Sequence, residues 1–241
     1  MPACLIVYFP LADPAVPTAF VDLYADAGVD IIEFGWPARS PYHDGPDVRA
    51  SMARAASGDP LAALVAARQR LARHSAPPKA LVMTYSEPSH PALSDPTFFF
   101  GVDAVLVVAP PRDAVRQAIE RRARAAGAAI STFLSLPVTS ADIAAARLAD
   151  RYVMLQAVPG LTGPRPSLDP ANASRIAELR GKGVGVPIVL GFGISKGEHA
   201  RAAVGLGADG VVVGSAALRA ALRGHAELSA LLNDLRNGLN D

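Results

Sequence analysis

The feature that most constrains this chain is an alternation. Short apolar runs rich in Val, Ile and Leu recur eight times along 241 residues, and each is followed by a stretch of helical periodicity. The runs fall at 3–9, 29–34, 80–84, 104–108, 129–134, 152–155, 187–190 and 210–213. The helical patterns fall at 18–27, 47–56, 61–74, 91–100, 113–126, 140–149, 172–181, 195–206 and 215–239, the last interrupted at Gly224. Strands that alternate with helices pair in parallel, because a parallel neighbour is reached only through a crossover. Eight such units without a linker, a composition break or a long internal repeat favour a closed (βα)8 TIM barrel, a single domain over 1–241. The alternative is an open doubly wound sheet. It is weakened by the lack of a Gly-x-Gly-x-x-Gly turn after the first strand, since Gly181-Lys182-Gly183-Val184-Gly185 reads as a loop before a strand.

Composition narrows the function classes. Hydrophobic residues make up 51% and charged residues 19%, enough apolar surface for a large core and too little charge for disorder. A net charge of +1 gives no reason to expect nucleic acid or an acidic membrane as partner. The single cysteine, Cys4, rules out an internal disulfide and reads as a small core residue. The five histidines show no metal-ligand spacing. The first nine residues lack the basic flank and long apolar core of a signal peptide, and no apolar run approaches the ~18 residues of a membrane span. A cytoplasmic protein is expected. Arg116, Arg121, Arg122 and Arg124 fall on what reads as a solvated helix face.

A barrel of this kind works at the C-terminal ends of its strands. The second apolar run ends in Glu33; a Pro- and Gly-rich loop carries Asp44, and a helix begins at Pro46. Glu33 is the candidate acid–base group and Asp44 the candidate substrate-holding group. The competing readings are a structural acid paired to a base for Glu33 and a turn or N-cap residue for Asp44. Strand seven runs into Gly191-Phe192-Gly193-Ile194-Ser195, and strand eight into Gly214-Ser215-Ala216. Glycine turns at helix starts bind anions through free N–H groups and the helix dipole, and in barrels these two loops often hold phosphate. The loop Pro159-Gly160-Leu161-Thr162-Gly163 after strand six is suited to close over a ligand. His43 reads as an exposed loop residue, or else as a cation that tunes Asp44. Trp36 either lines a ring pocket or packs under the rim.

Taken in order, these segments resemble a known family, the tryptophan synthase alpha chain, which is indole-3-glycerol-phosphate lyase. Asp13-Pro14, Ile32-Glu33-Phe34-Gly35-Trp36-Pro37, Ser40-Pro41, Asp44-Gly45-Pro46, Met83-Thr84-Tyr85, Gly160-Leu161-Thr162-Gly163 and the two glycine turns carry the likeness over nearly the whole chain. The strand-two stretch is the specific part. The resemblance implies a (βα)8 barrel that cleaves indole-3-glycerol phosphate by a retro-aldol step to indole and glyceraldehyde 3-phosphate. It implies Glu33 and Asp44 as the catalytic pair, eleven residues apart as in the family. It places phosphate at Gly163, Gly193, Gly214 and Ser215, with Tyr8, Tyr85 and Phe192 around the ring. No metal or organic cofactor is implied. The partner it implies is a pyridoxal-phosphate-dependent beta subunit.

The chain also departs from the family. It lacks the helix before strand one. Ser40 stands where an aspartate that helps dock the beta subunit is usual, and Val108-Ala109-Pro110-Pro111 replaces a Pro-Asp-Leu-Pro pattern. Met154 occupies the place of a tyrosine at the end of strand six, and Val158-Pro159 replaces Arg-Ser. These changes fall on the ring pocket and the partner-facing loops, which suggests a divergent member, working alone or with an unusual beta subunit, and on a plain or a substituted indole. Two other readings compete with the lyase: a different phosphate-binding barrel enzyme, and a non-catalytic subunit that activates a beta partner. Indole release by the isolated chain separates them.

Overall fold

Eight parallel strands close into a barrel in chain order: β1 (Cys4–Pro10), β2 (Ile31–Gly35), β3 (Lys79–Tyr85), β4 (Ala104–Val108), β5 (Ala129–Leu134), β6 (Val153–Gln156), β7 (Ile188–Gly191) and β8 (Gly210–Val213). The computed structural model describes residues 3–95, 97–163 and 166–240. β8 pairs back with β1, Cys4 opposite Gly210 and Val7 opposite Val213, which closes the ring. Nearly every strand residue is buried. The barrel interior covers one face and the helices cover the other, so the strands read as continuous apolar runs without alternation.

The helices are α1 (Val21–Asp26), α2 (Pro46–Ala55), α3 (Pro60–Leu71), α4 (Ala114–Ala125), α5 (Ser140–Ala146), α6 (Asn172–Gly181), α7 (Gly197–Gly205), α8 (Ser215–Arg223) and α9 (His225–Asn240). Their starts are written in side-chain chemistry. The Asp59 carboxylate accepts the Ala62 N–H, and Asp113 accepts the Arg116 N–H. Thr139 and Asp142 form a reciprocal capping box.

Three expectations change. The helix expected over 91–100 is only a 3-10 turn at Pro91–Leu93, because the Asp95 carboxylate takes both the N–H and the hydroxyl of Thr97 and turns the chain away. The helix expected over 140–149 stops at Ala146. Arg116 is buried, not solvated: its Nε donates to Glu120 at 2.7 Å and its guanidinium to the Ala109 carbonyl at 2.7 Å, tying α4 to the end of β4. Cys4 is partly buried, and burial pushes its thiol up to about 12.

The lower rim repeats one device four times. Asp30, Asp103, Asp150 and Asp209 each stand just before an even-numbered strand. Each donates its N–H to the carbonyl of one residue at the foot of the preceding odd strand, namely Leu5, Ala80, Ile130 and Ile188. Each carboxylate accepts the N–H of that same residue, at 2.7 Å for Leu5, 2.8 Å for Ala80 and 2.7 Å for Ile188. Each also meets a cation: Arg236, Lys79, Arg124 and Arg180 respectively. The aspartate clamps a strand edge where the ladder has just begun and its backbone groups would lack partners.

Candidate active site

Glu33 is the third residue of β2, opposite Tyr8 on β1 and Leu81 on β3. Its side chain enters the barrel mouth and is 3% exposed. Among the described residues no base neutralises it: its hydrogen-bond partner is the Tyr152 hydroxyl, which donates to Oε1 at 2.8 Å. Burial therefore raises its pKa to about 7, with the charge of Asp44 adding to the rise and the Tyr152 bond opposing it.

Asp44 is 6% exposed. It does not cap α2, whose N-cap is Gly45. One carboxylate oxygen accepts the Tyr85 hydroxyl at 2.7 Å and the other accepts the Thr162 hydroxyl at 3.3 Å. Burial raises its pKa, while these two bonds and the charge of Arg49 pull it down. Thr162 also accepts the Gly45 N–H at 2.8 Å and donates its own N–H to the His43 carbonyl at 3.2 Å, so the strand-six loop is latched over the loop that carries Asp44. A Cβ at Gly45 would come within 2.2 Å of the Thr162 carbonyl oxygen, which explains the glycine there.

The two acids share a narrow cavity of about 60 Å³ with Tyr8, Tyr85, Met83, Met154, Phe192, Gly214 and Ser215. The Tyr8 hydroxyl is buried without a partner among the described residues, and Gly35 leaves the room its ring occupies. Burial holds its pKa well above the ordinary value, so it is a protonated donor awaiting an acceptor. At the other end, Ser215 opens α8 and Gly214 precedes it without a side-chain cap on the helix. The first N–H groups of a helix have no partner within it, so this end is a candidate anion cup. The start of α7 is not equivalent, because Asp234 accepts its Gly197 N–H at 2.6 Å. Phe192 holds φ 72°, a left-handed conformation costly for a bulky residue, and Gly193 follows at φ 93°. Gly163 and Gly193 flank the cavity through their neighbours Thr162 and Phe192.

Of three further residues, one differs from its sequence reading, one fits the second of its two readings and one was absent from it. His43 is half-buried in the cavity wall; burial lowers its pKa, so at neutral pH it gives Asp44 no charge. Trp36 packs under the rim against His90 and Phe98, at 5.1 Å from each ring, and is not part of the cavity wall. Tyr152 was missed. It lies two residues before Met154, on the same face of the chain as β6 begins, so its hydroxyl enters the layer below Met154 and reaches Glu33.

The sequence model of the family described as tryptophan synthase alpha chain matches residues 2–236. This chain belongs to the tryptophan synthase alpha chain family. The alpha chain of Pelobacter propionicus is 34% identical over 223 residues, covering 89% of this chain and 82% of the relative. That of Archaeoglobus fulgidus is 31% identical, covering 98% of each. Among solved structures, tryptophan synthase of Mycobacterium tuberculosis matches with a TM-score of 0.84 at 25% identity, over 99% of this chain and 93% of that one. The alpha chains thus share the barrel and its length. Among the described residues there is no group of three or more His, Cys, Asp or Glu that could hold a metal ion, and no helix is long and apolar enough to cross a membrane.

Proposed function

We infer that this alpha chain is a carbon–carbon lyase that cleaves indole-3-glycerol phosphate to indole and glyceraldehyde 3-phosphate, with Glu33 and Asp44 as its catalytic pair. The observation that carries the assignment of roles is that both acids open into one cavity with different partners, Glu33 held by Tyr152 and Asp44 by Tyr85 and Thr162. Glu33, held near neutral by burial, enters protonated and donates to C3 of the indole ring. Protonation breaks the aromaticity of the five-membered ring and places positive charge on its nitrogen. Asp44, aimed by the Tyr85 and Thr162 hydroxyls, accepts the ring N–H and stabilises that charge. The Glu33 carboxylate then takes the proton of the side-chain hydroxyl. A carbonyl forms, the C–C bond breaks, and its electron pair returns to the ring, which leaves as indole. Glu33 ends protonated, as it began.

The unpartnered Tyr8 hydroxyl is suited to the substrate's chain oxygens, and the free N–H groups of α8 with the Ser215 hydroxyl to its phosphate. Gly163 and Gly193 supply the backbone freedom of the two flanking turns. The strand-six loop closes the site through Thr162. The matching Mycobacterium tuberculosis structure is titled tryptophan synthase, the whole enzyme to which an alpha chain belongs, which supports a beta subunit as partner of this chain too. The test is indole formation from indole-3-glycerol phosphate by the isolated chain, with Glu33→Gln beside it. Turnover in the wild type that is lost in the variant is expected; normal turnover in the variant would overturn the assignment of Glu33.

A further inference from the structure

The inner cavity is separated from a second one by two rings. His43 and Phe133 meet edge to face at 5.1 Å, and both line the inner cavity. On their other side they line a groove of about 540 Å³ between the loops after β4 and β5, walled by Pro110 and Pro111 on one side and Ser135 and Pro137 on the other. The partition is held at its edges. Tyr42 packs on His43 at 4.8 Å and donates its hydroxyl to the Val108 carbonyl at 3.0 Å. Phe192 stacks on Phe133 at 5.4 Å with 11° between the planes.

Topology says what faces this partition. In a closed ring of eight strands, β4 and β5 lie across from β8 and β1. A long substrate whose phosphate sits at Gly214 and Ser215, with its ring N–H on Asp44, points the far edge of its ring at β4 and β5. We propose that the His43–Phe133 pair is the specificity-determining wall of the site: it sets the size limit on the benzo ring, and the groove behind it is the space that a benzo-substituted indole-3-glycerol phosphate enters when the wall is trimmed. The proposal rests on the lyase reading given above.

Two measurements separate the two claims. The first compares kcat/KM for indole-3-glycerol phosphate and for an analogue with a phenyl group on the benzo ring, in the wild type, His43→Ala and His43→Phe. The second compares calorimetric binding of indole and phenylindole to the same proteins, which needs no turnover. His43→Ala is expected to raise the substituted-to-unsubstituted ratio about 10-fold or more in both, because size exclusion in an apolar pocket discriminates on that scale. His43→Phe keeps the wild-type ratio. Phe133→Leu trims the same wall from the strand and is expected to move the ratio in the same direction. An unchanged ratio in both trimmed variants, with the unsubstituted substrate still cleaved, overturns the wall and leaves the lyase standing. A shifted binding ratio without any cleavage leaves the wall standing and overturns the lyase.

Discussion

The two ends of the barrel use carboxylates in opposite ways. At the lower rim Asp30, Asp103, Asp150 and Asp209 are partly exposed, each clamps a strand foot through its backbone, and each has a cation beside it. At the mouth Glu33 and Asp44 are buried, and their direct partners are neutral hydroxyls. A carboxylate that accepts a backbone N–H and meets a cation holds the chain together where it sits. A buried carboxylate with only hydroxyl partners resists ionisation, and that resistance turns it into an acid usable near neutral pH. The stable end holds the shape against which the less stable end works.

This contrast can be broken at several points. The largest expected effect is on turnover: Glu33→Gln lowers kcat by about 10²–10⁴-fold, the usual contribution of a general acid–base group, measured as steady-state indole release. The pH dependence sharpens it. With Glu33 required in protonated form, kcat/KM of the wild type declines above an inflection near pH 7.

The same residue should act in the reverse sense on stability. Its folded pKa, about 7, lies above its ordinary value of 4.5, so its contribution is fully present below about pH 4.5 and is lost as pH rises through 7. Glu33→Gln removes that dependence. The variant is expected to be more stable than the wild type at pH 8, by up to about 3 kcal/mol from a shift of this size, with the advantage falling below about 1 kcal/mol by pH 5. Denaturant melts at the two pH values measure it, and equal differences at both would contradict the buried-acid account.

At the lower rim the sign is simple. Asp103→Ala leaves the Ala80 N–H without its acceptor and should cost about 1–3 kcal/mol in denaturant unfolding, with the inflection near pH 7 in kcat/KM unmoved. A shift of that inflection would show that the two ends are coupled. The smallest effect is at the latch. Thr162→Val removes one bond from Asp44 and one from Gly45, and should raise KM several-fold with a smaller change in kcat. Substrate saturation curves test it.

Much of this was legible in the sequence because it is local. The strand runs, Glu33 at the end of one, Asp44 before a Pro-started helix and Ser215 after a glycine each report their own neighbourhood. What depends on closure was harder to read. Tyr152 touches Glu33 across 119 positions of chain, and only the ring of strands brings them together. His43 looked exposed because the ring that turns it into a cavity wall, Phe133, comes from β5 and not from its own loop. Arg116 looked solvated because its apolar surroundings lie at the end of β4 and not on its own helix face. The four lower aspartates did leave a trace: Gly28-Val29-Asp30, Gly101-Val102-Asp103 and Gly207-Ala208-Asp209 form a short repeat, with Leu148-Ala149-Asp150 as its variant. It is three residues long, too short to register as a repeat without knowing that each copy ends at a strand foot.

The most direct test is to titrate Glu33 itself, by difference infrared spectroscopy of the wild type against Glu33→Gln in the carboxylic acid C=O stretching region. The account predicts a protonated-carboxyl band, absent from the variant, that disappears with a midpoint near pH 7. A band already lost by about pH 5 would mean that burial among hydroxyls does not hold Glu33 protonated, and the division between the two ends would be wrong.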